Sequence, residues 1–62
     1  MHYSEAAKIA PGDSITYQDG DALLQAVVTG PVHTFIERGM VVYAPIEGGY
    51  VVNTRIVSVE RA

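Results

Sequence analysis

The sequence contains neither cysteine nor tryptophan. Without cysteine the chain can form no disulfide and no thiolate zinc site, which leaves His2 and His33 as the only imidazole ligands. A chain of 62 residues buries only about 60% of the surface of its unfolded state and is marginally stable alone. Association with another chain is therefore the expected source of additional stability.

Basic residues are scarce, with four Lys and Arg against seven Asp and Glu and a formal net charge of −3. Proteins that bind nucleic acids usually carry a basic patch, because contacts with phosphates dominate their affinity. The charge therefore disfavours nucleic acid as the main partner, although a local arginine strip remains open.

Long apolar runs are also missing, since no stretch approaches the roughly 18 residues of a transmembrane helix. The first residues, "MHYSEAAKIAPGD", lack the basic start and apolar stretch of a secretion signal. We therefore expect no membrane association and a cytoplasmic location, with which the absence of cysteine is consistent.

The region from Asp13 onward has the pattern of short β-strands. The segment "DSITYQ" alternates, with Ile15 and Tyr17 on one face. Glycine-containing turns follow about every ten residues, which is typical of a small antiparallel barrel or sandwich. The pattern predicts an all-β domain over residues 13–62 with five to six short strands. Residues 1–12 are predicted to be a loose arm or a single helical turn, for which Ser4 is the candidate N-cap.

The closing segment, residues 48–62, does not fit a single strand. One face of such a strand would begin apolar at Tyr50 and end polar at Glu60. A short turn at residues 53–55 removes this conflict, because after the turn the even-numbered rather than the odd-numbered residues, or the reverse, can point to the core. Asn and Thr side chains favour such a turn through local hydrogen bonds that compete with strand pairing.

A Gly-led strand, a one-turn 3₁₀ step and a final strand make "GGYVVNTRIVSVE" similar to the end of an SH3-like barrel, and "GDSITY" resembles the first strand of that fold. The resemblance covers residues 12–60 and implies a small antiparallel SH3-like β-barrel. Arg55 stands where peptide-binding SH3 domains have an aromatic residue, and Val52 stands in place of their proline. Together with the lack of Trp, these differences predict no proline-rich ligand of the SH3 type.

The chain length and the ending "SVERA" also resemble the type II plasmid dihydrofolate reductases, which are tetramers of SH3-like barrels around a pore. Their Val-Gln-Ile-Tyr motif has no counterpart, and the nearest segment reads Tyr-Val-Val-Asn-Thr. An oligomeric pore enzyme is the third interpretation of the sequence.

No pattern for catalysis is present. No serine lies in a motif with a histidine and an acid, and no glycine-rich phosphate loop precedes a helix. A metal site needs three or four converging ligands, and two histidines in a β-rich chain do not indicate one. We therefore expect a protein that is not an enzyme and that has no cofactor and no metal.

The sequence predicts a small non-catalytic interaction module that associates with itself and binds a protein partner. Tyrosine buries much area at low entropic cost, and acidic turn residues can contact a basic partner. The candidate protein-binding residues are Tyr17, Asp19, Asp21, Tyr43 and Tyr50. The alternative is a nucleic-acid-binding regulator of the small-barrel type, which would use Arg38, Arg55 and Arg61. The size alone is also common among proteins of mobile elements and phages.

Overall fold

The computed structural model describes residues 1–62, and about half of them lie in six short strands. In chain order the elements are helix α1 (Tyr3–Ala6), β1 (Ser14–Asp19), β2 (Ala22–Val27), β3 (His33–Ile36), β4 (Met40–Ile46), β5 (Gly49–Val52), a 3₁₀ turn (Asn53–Arg55) and β6 (Ile56–Glu60). The predicted all-β class with five to six strands is confirmed.

The strands form two antiparallel three-stranded sheets. The first sheet has the order β2-β1-β6 and the second has the order β3-β4-β5. The chain passes from one sheet to the other through residues 28–32, where Gly30 and Pro31 interrupt the strand pattern. No strand pairing joins the sheets, so the predicted closed barrel is corrected to two separate sheets.

The hydrophobic core lies between the sheets and is small. Its largest members are Ile15 from β1, Val42 from β4, Val51 from β5, Ile56 from β6 and Val28 from the crossing segment. Strands β1, β4, β5 and β6 supply the buried strand residues, whereas β2 and β3 contain no fully buried residue. The core contains no fully buried aromatic ring, although Tyr17 packs against it and is partly buried.

The N-terminal segment packs against the sheets instead of forming a loose arm. Its helical turn begins after His2, whose Nδ1 accepts a hydrogen bond from the backbone N–H of Ser4 at 3.2 Å, so the predicted cap at Ser4 is wrong by two residues. Ala6 and Ile9 are buried in the core. This short segment therefore contributes to the stability of the sheets.

The 3₁₀ turn lies where the sequence predicted it, at residues 53–55. Val51 before the turn and Ile56 after it are both buried, although five positions separate them and a continuous strand would place them on opposite faces. Asn53 is also buried and begins the turn. The turn thus changes the parity of the chain so that β5 and β6 can both face the core.

Candidate interaction site

An aromatic groove lies on the outward face of the second sheet. It has a volume of about 290 Å³ and is lined by His33, Phe35, Tyr43 and Tyr50. We call the surface formed by these four residues the aromatic groove. The strand register explains the grouping, because His33 faces Tyr43 across the β3–β4 pair. Since the core residues of β4 and β5 occupy the alternate positions, the two tyrosines are directed away from the core.

The rings of the aromatic groove contact one another in edge-to-face geometry. The ring centroids of His33 and Tyr50 are 5.6 Å apart at an interplanar angle of 79°, and those of Phe35 and Tyr43 are 5.7 Å apart at 73°. Aromatic pairs favour this arrangement, and each pair contributes roughly 0.5–1.5 kcal/mol beyond its buried area. Phe35 is 49% exposed and Tyr50 is 58% exposed. The surface is therefore aromatic, accessible and held in place by its own contacts.

A carboxylate lies at the margin of the aromatic groove. The hydroxyl of Tyr43 donates a hydrogen bond to Oε1 of Glu37 at 3.1 Å. This hydrogen bond, with a smaller desolvation effect and the negative charge of Glu37, raises the pKa of Tyr43 above its usual value. The phenol therefore stays protonated as the donor, and the carboxylate is oriented by a residue that lines the groove.

The five predicted protein-binding residues do not form one site. Tyr43 and Tyr50 lie together in the aromatic groove, whereas Tyr17 lies on the first sheet under the guanidinium of Arg55, 5.8 Å from its ring centroid. Asp19 pairs with the same arginine at 3.1 Å. The remaining candidate, Asp21, is exposed and has no side-chain partner. The structure thus divides the candidates between two places, with Tyr43 and Tyr50 in the aromatic groove and Tyr17 and Asp19 around Arg55.

His33 and Phe35 were not among the predicted residues, although they form half of the aromatic groove. The sequence showed that both lie on the same face of β3, since "VHTFI" places Thr34 and Ile36 on the other face. What the sequence did not show is the register of β3 against β4. That register is what places His33 directly opposite Tyr43.

The three arginines of the nucleic-acid hypothesis do not converge. Arg55 donates to the carbonyl oxygen of Gln18 at 2.9 Å, near the end of β1. Arg61 follows β6 and contacts Asp13 at 3.2 Å, next to the start of β1. Arg38 lies in the turn between β3 and β4 on the second sheet and forms no ion pair. Two of the three charges are thus already paired within the chain.

Asp13 has a structural role that explains the position of Arg61. Its side chain is almost fully buried and accepts hydrogen bonds from the backbone N–H groups of Ala10 at 2.9 Å and Ala62 at 3.0 Å. These two hydrogen bonds, opposed by burial and supported by Arg61, lower the pKa of Asp13 below its usual value. The carboxylate thereby ties together the segments before β1 and after β6.

Strand β2, one of the two edge strands of the first sheet, forms a second exposed apolar surface. Strand β2 carries Leu23 and Val27, which are 59% and 58% exposed, and it pairs with β1 without a bulge. Edge strands of monomers are usually protected by lysine, proline or a bulge. The β2 edge, which we define as residues 22–27, has none of these protections and no charged side chain.

A hollow of about 400 Å³ separates the β2 edge from the turn between β4 and β5. Tyr17 lines it, together with Ala26 and Val27 of the first sheet and Ile46 and Glu47 of the second.

No group of three or more His, Asp or Glu side chains lies close enough together to hold a metal ion. No helix is long and apolar enough to cross a membrane. The chain matches no protein-family model, no curated protein and no solved structure. The candidate site therefore has to be interpreted from its own geometry.

Proposed function

We propose that this chain is a small non-catalytic interaction module that binds a protein partner through the aromatic groove. The observation that carries the proposal is the exposed set of rings formed by His33, Phe35, Tyr43 and Tyr50. Aromatic side chains are enriched in protein interfaces and supply most of the binding energy at their centres. Because the rings already contact each other, little conformational entropy is lost when a partner covers them.

The size of the aromatic groove indicates what part of a partner it accepts. Its 290 Å³ lies at the low end of ligand pockets, which range from roughly 300 to 1,000 Å³. The groove is therefore suited to one or two side chains projecting from a peptide segment, and is too small for a large cofactor. The partner segment would add its remaining contacts along the surface of the second sheet.

A random-peptide library tests the proposal directly. Peptides selected on the wild-type chain should bind the Tyr50→Ala variant at least about tenfold more weakly, since truncation of a central aromatic commonly has an effect of this order. The matched control is Leu23→Ala, because Leu23 is equally exposed but lies on the other sheet. Peptides that lose affinity for Leu23→Ala and keep it for Tyr50→Ala contradict the proposal.

Self-association through the β2 edge is a second candidate, supported by a separate observation. Residues 22–27 expose unpaired backbone groups and apolar side chains, and none of these residues is charged. Antiparallel pairing of two β2 strands would produce a continuous six-stranded sheet. It would also give Leu23 and Val27 apolar cross-strand neighbours, and so supply the association that a core of this size favours.

Sedimentation over a dilution series tests the self-association. The wild-type chain should dissociate on dilution, and Val27→Lys should be monomeric at concentrations where the wild type is not, because lysine protects an edge strand. Thr34→Lys adds the same charge to an edge strand of the other sheet and should leave the association unchanged. A wild-type chain that stays monomeric at high micromolar concentration would exclude this candidate.

The order of elements supports the SH3-like resemblance, because a 3₁₀ turn separates the last two strands as it does in that fold. A fold of this kind does not define a function, since small barrels have many unrelated roles. Nucleic-acid binding by Arg38, Arg55 and Arg61 stays a prediction, to be tested as salt-dependent binding to single- and double-stranded probes. The pore-enzyme interpretation also stays untested and is checked by a nicotinamide-cofactor oxidation assay.

A further inference from the structure

We propose that the aromatic groove takes a positively charged side chain of the partner, an ammonium or a guanidinium, against the ring faces and the carboxylate of Glu37. This inference rests on the proposed function and specifies the partner's chemistry. It requires ring faces that are free, a negative charge that is uncompensated, and a pocket of side-chain size.

The ring faces are free of the chain's own cations. A cation is attracted to an aromatic ring when it lies over the face within about 6 Å of the centroid. The chain makes one such contact, in which Arg55 lies 5.8 Å from the centroid of Tyr17 on the first sheet. No lysine or arginine makes this contact with Phe35, Tyr43 or Tyr50, so no cation of the chain covers the faces of these rings.

The negative charge of Glu37 is held at the groove without an ion-pair partner. Its carboxylate accepts the hydrogen bond from Tyr43 and forms no ion pair, whereas the buried carboxylate of Asp13 is paired with an arginine. The backbone N–H of Glu37 donates to the carbonyl oxygen of Gly39 at 2.9 Å, which fixes the turn that carries the glutamate. The chain as a whole has a net charge of −3, so its overall field also favours a cationic partner.

Arg38 is the one cation close in sequence to this carboxylate. It follows Glu37 in the β3–β4 turn and forms no ion pair with it. Glu37 and Arg38 carry opposite charges, so neutralising each in turn should change the affinity for a cation in opposite directions. Removal of the glutamate charge should weaken the binding of a cation, whereas removal of the arginine charge should strengthen it.

Choline and 3,3-dimethyl-1-butanol are the probes, because they have nearly the same shape and differ in charge. Each is titrated into the ¹⁵N-labelled chain while the amide signals of β3, β4 and β5 are followed by NMR. Choline should shift the signals around the aromatic groove and bind between about threefold and thirtyfold more tightly than the neutral alcohol, the range of cation–π contributions from exposed to desolvated sites.

Four variants complete the experiment. Glu37→Gln should weaken choline binding severalfold, Arg38→Gln should strengthen it, and neither should change the affinity for the neutral alcohol. Tyr50→Ala should weaken the binding of both probes. Tyr50→Phe should bind them as the wild type does, because the ring face remains. The amide spectrum of each variant establishes that the fold is retained.

The inference and the proposed function fail in different ways. Equal affinity for choline and the neutral alcohol, or a Glu37→Gln variant that binds choline as well as the wild type, overturns the inference. If selected peptides still bind through Tyr50 in that case, the proposed function stands with an apolar partner. If no selected peptide depends on Tyr50, both proposals fail.

Discussion

Asn53 is hydrogen-bonded to the middle of β4 through its side chain, whose Oδ1 accepts from the backbone N–H of Val42 at 3.0 Å. Its Nδ2 donates to the carbonyl oxygen of Met1 at 2.9 Å. One buried amide thus connects the second sheet, the 3₁₀ turn and the N-terminal segment. Since both of its functional groups are satisfied, burial of this polar residue adds specificity without an unpaired group.

Replacement of Asn53 by alanine should strongly destabilise the chain. The variant leaves the N–H of Val42 and the carbonyl of Met1 without partners, and each buried unpaired group costs about 1–3 kcal/mol. Urea denaturation followed by circular dichroism measures the loss. The control is Thr54→Ala, one residue later and exposed, which should change the free energy of unfolding by less than about 0.5 kcal/mol. Equal stability of the two variants would contradict the role of the amide.

The size of the core makes the protein sensitive to a single cavity. Globular proteins are stable by about 0.05–0.15 kcal/mol per residue, which gives roughly 3–9 kcal/mol for a chain of this length. Ile15 is fully buried, and Ile15→Ala should cost about 2–5 kcal/mol, which is enough to unfold much of the population. Val57 is exposed on β6, so Val57→Ala should stay folded in the same thermal melt. A cooperative melt of Ile15→Ala at the wild-type midpoint would show that the core is not limiting.

Gly48 and Gly49 form a matched pair in the turn between β4 and β5. A Cβ atom at either position would meet nothing within 4 Å, but only Gly48 has a positive φ, at +87°. Gly48→Ala should therefore cost roughly 1–2 kcal/mol through backbone strain, whereas Gly49→Ala should cost less. Chemical denaturation of both variants checks the difference. A larger loss for Gly49→Ala would indicate that the turn has a different conformation.

Acid should destabilise the chain through Asp13. Because the folded state holds the pKa of this carboxyl below its ordinary value of 3.8, its contribution to stability is complete above that value and is lost as the pH falls through the folded pKa. The free energy of unfolding should therefore decline below about pH 4, and the decline should be shallower in Asp13→Asn. Asp21→Asn, at an exposed position without a side-chain partner, should follow the wild-type profile. If Asp13→Asn also follows that profile, another group controls acid unfolding.

The strand pattern and the closing turn could be predicted from the sequence because both depend on local signals. Alternation defined the strands, glycines defined the turns, and the parity conflict after Tyr50 located the 3₁₀ turn at residues 53–55. The separation of the sheets could not be predicted in this way. It depends on how the two sheets pack against each other, which is a property of non-local contacts.

The candidate site was only partly predictable for the same reason. Tyr43 and Tyr50 could be selected by residue type, since tyrosine is common in interfaces. Tyr17 was selected by the same criterion but packs with Arg55 on the other sheet. His33 and Phe35 join the groove only through the register of β3 on β4, and composition does not encode that register.

The central position of β1 in the first sheet has a consequence for the kinetics of folding. The three other strand pairs are local hairpins, whereas the pairing of β1 with β6 closes a loop of roughly forty residues. Such a closure is slow because its entropic cost precedes the contacts that offset it. The hairpins can therefore form first, while one edge of β1 stays unpaired until β6 reaches it.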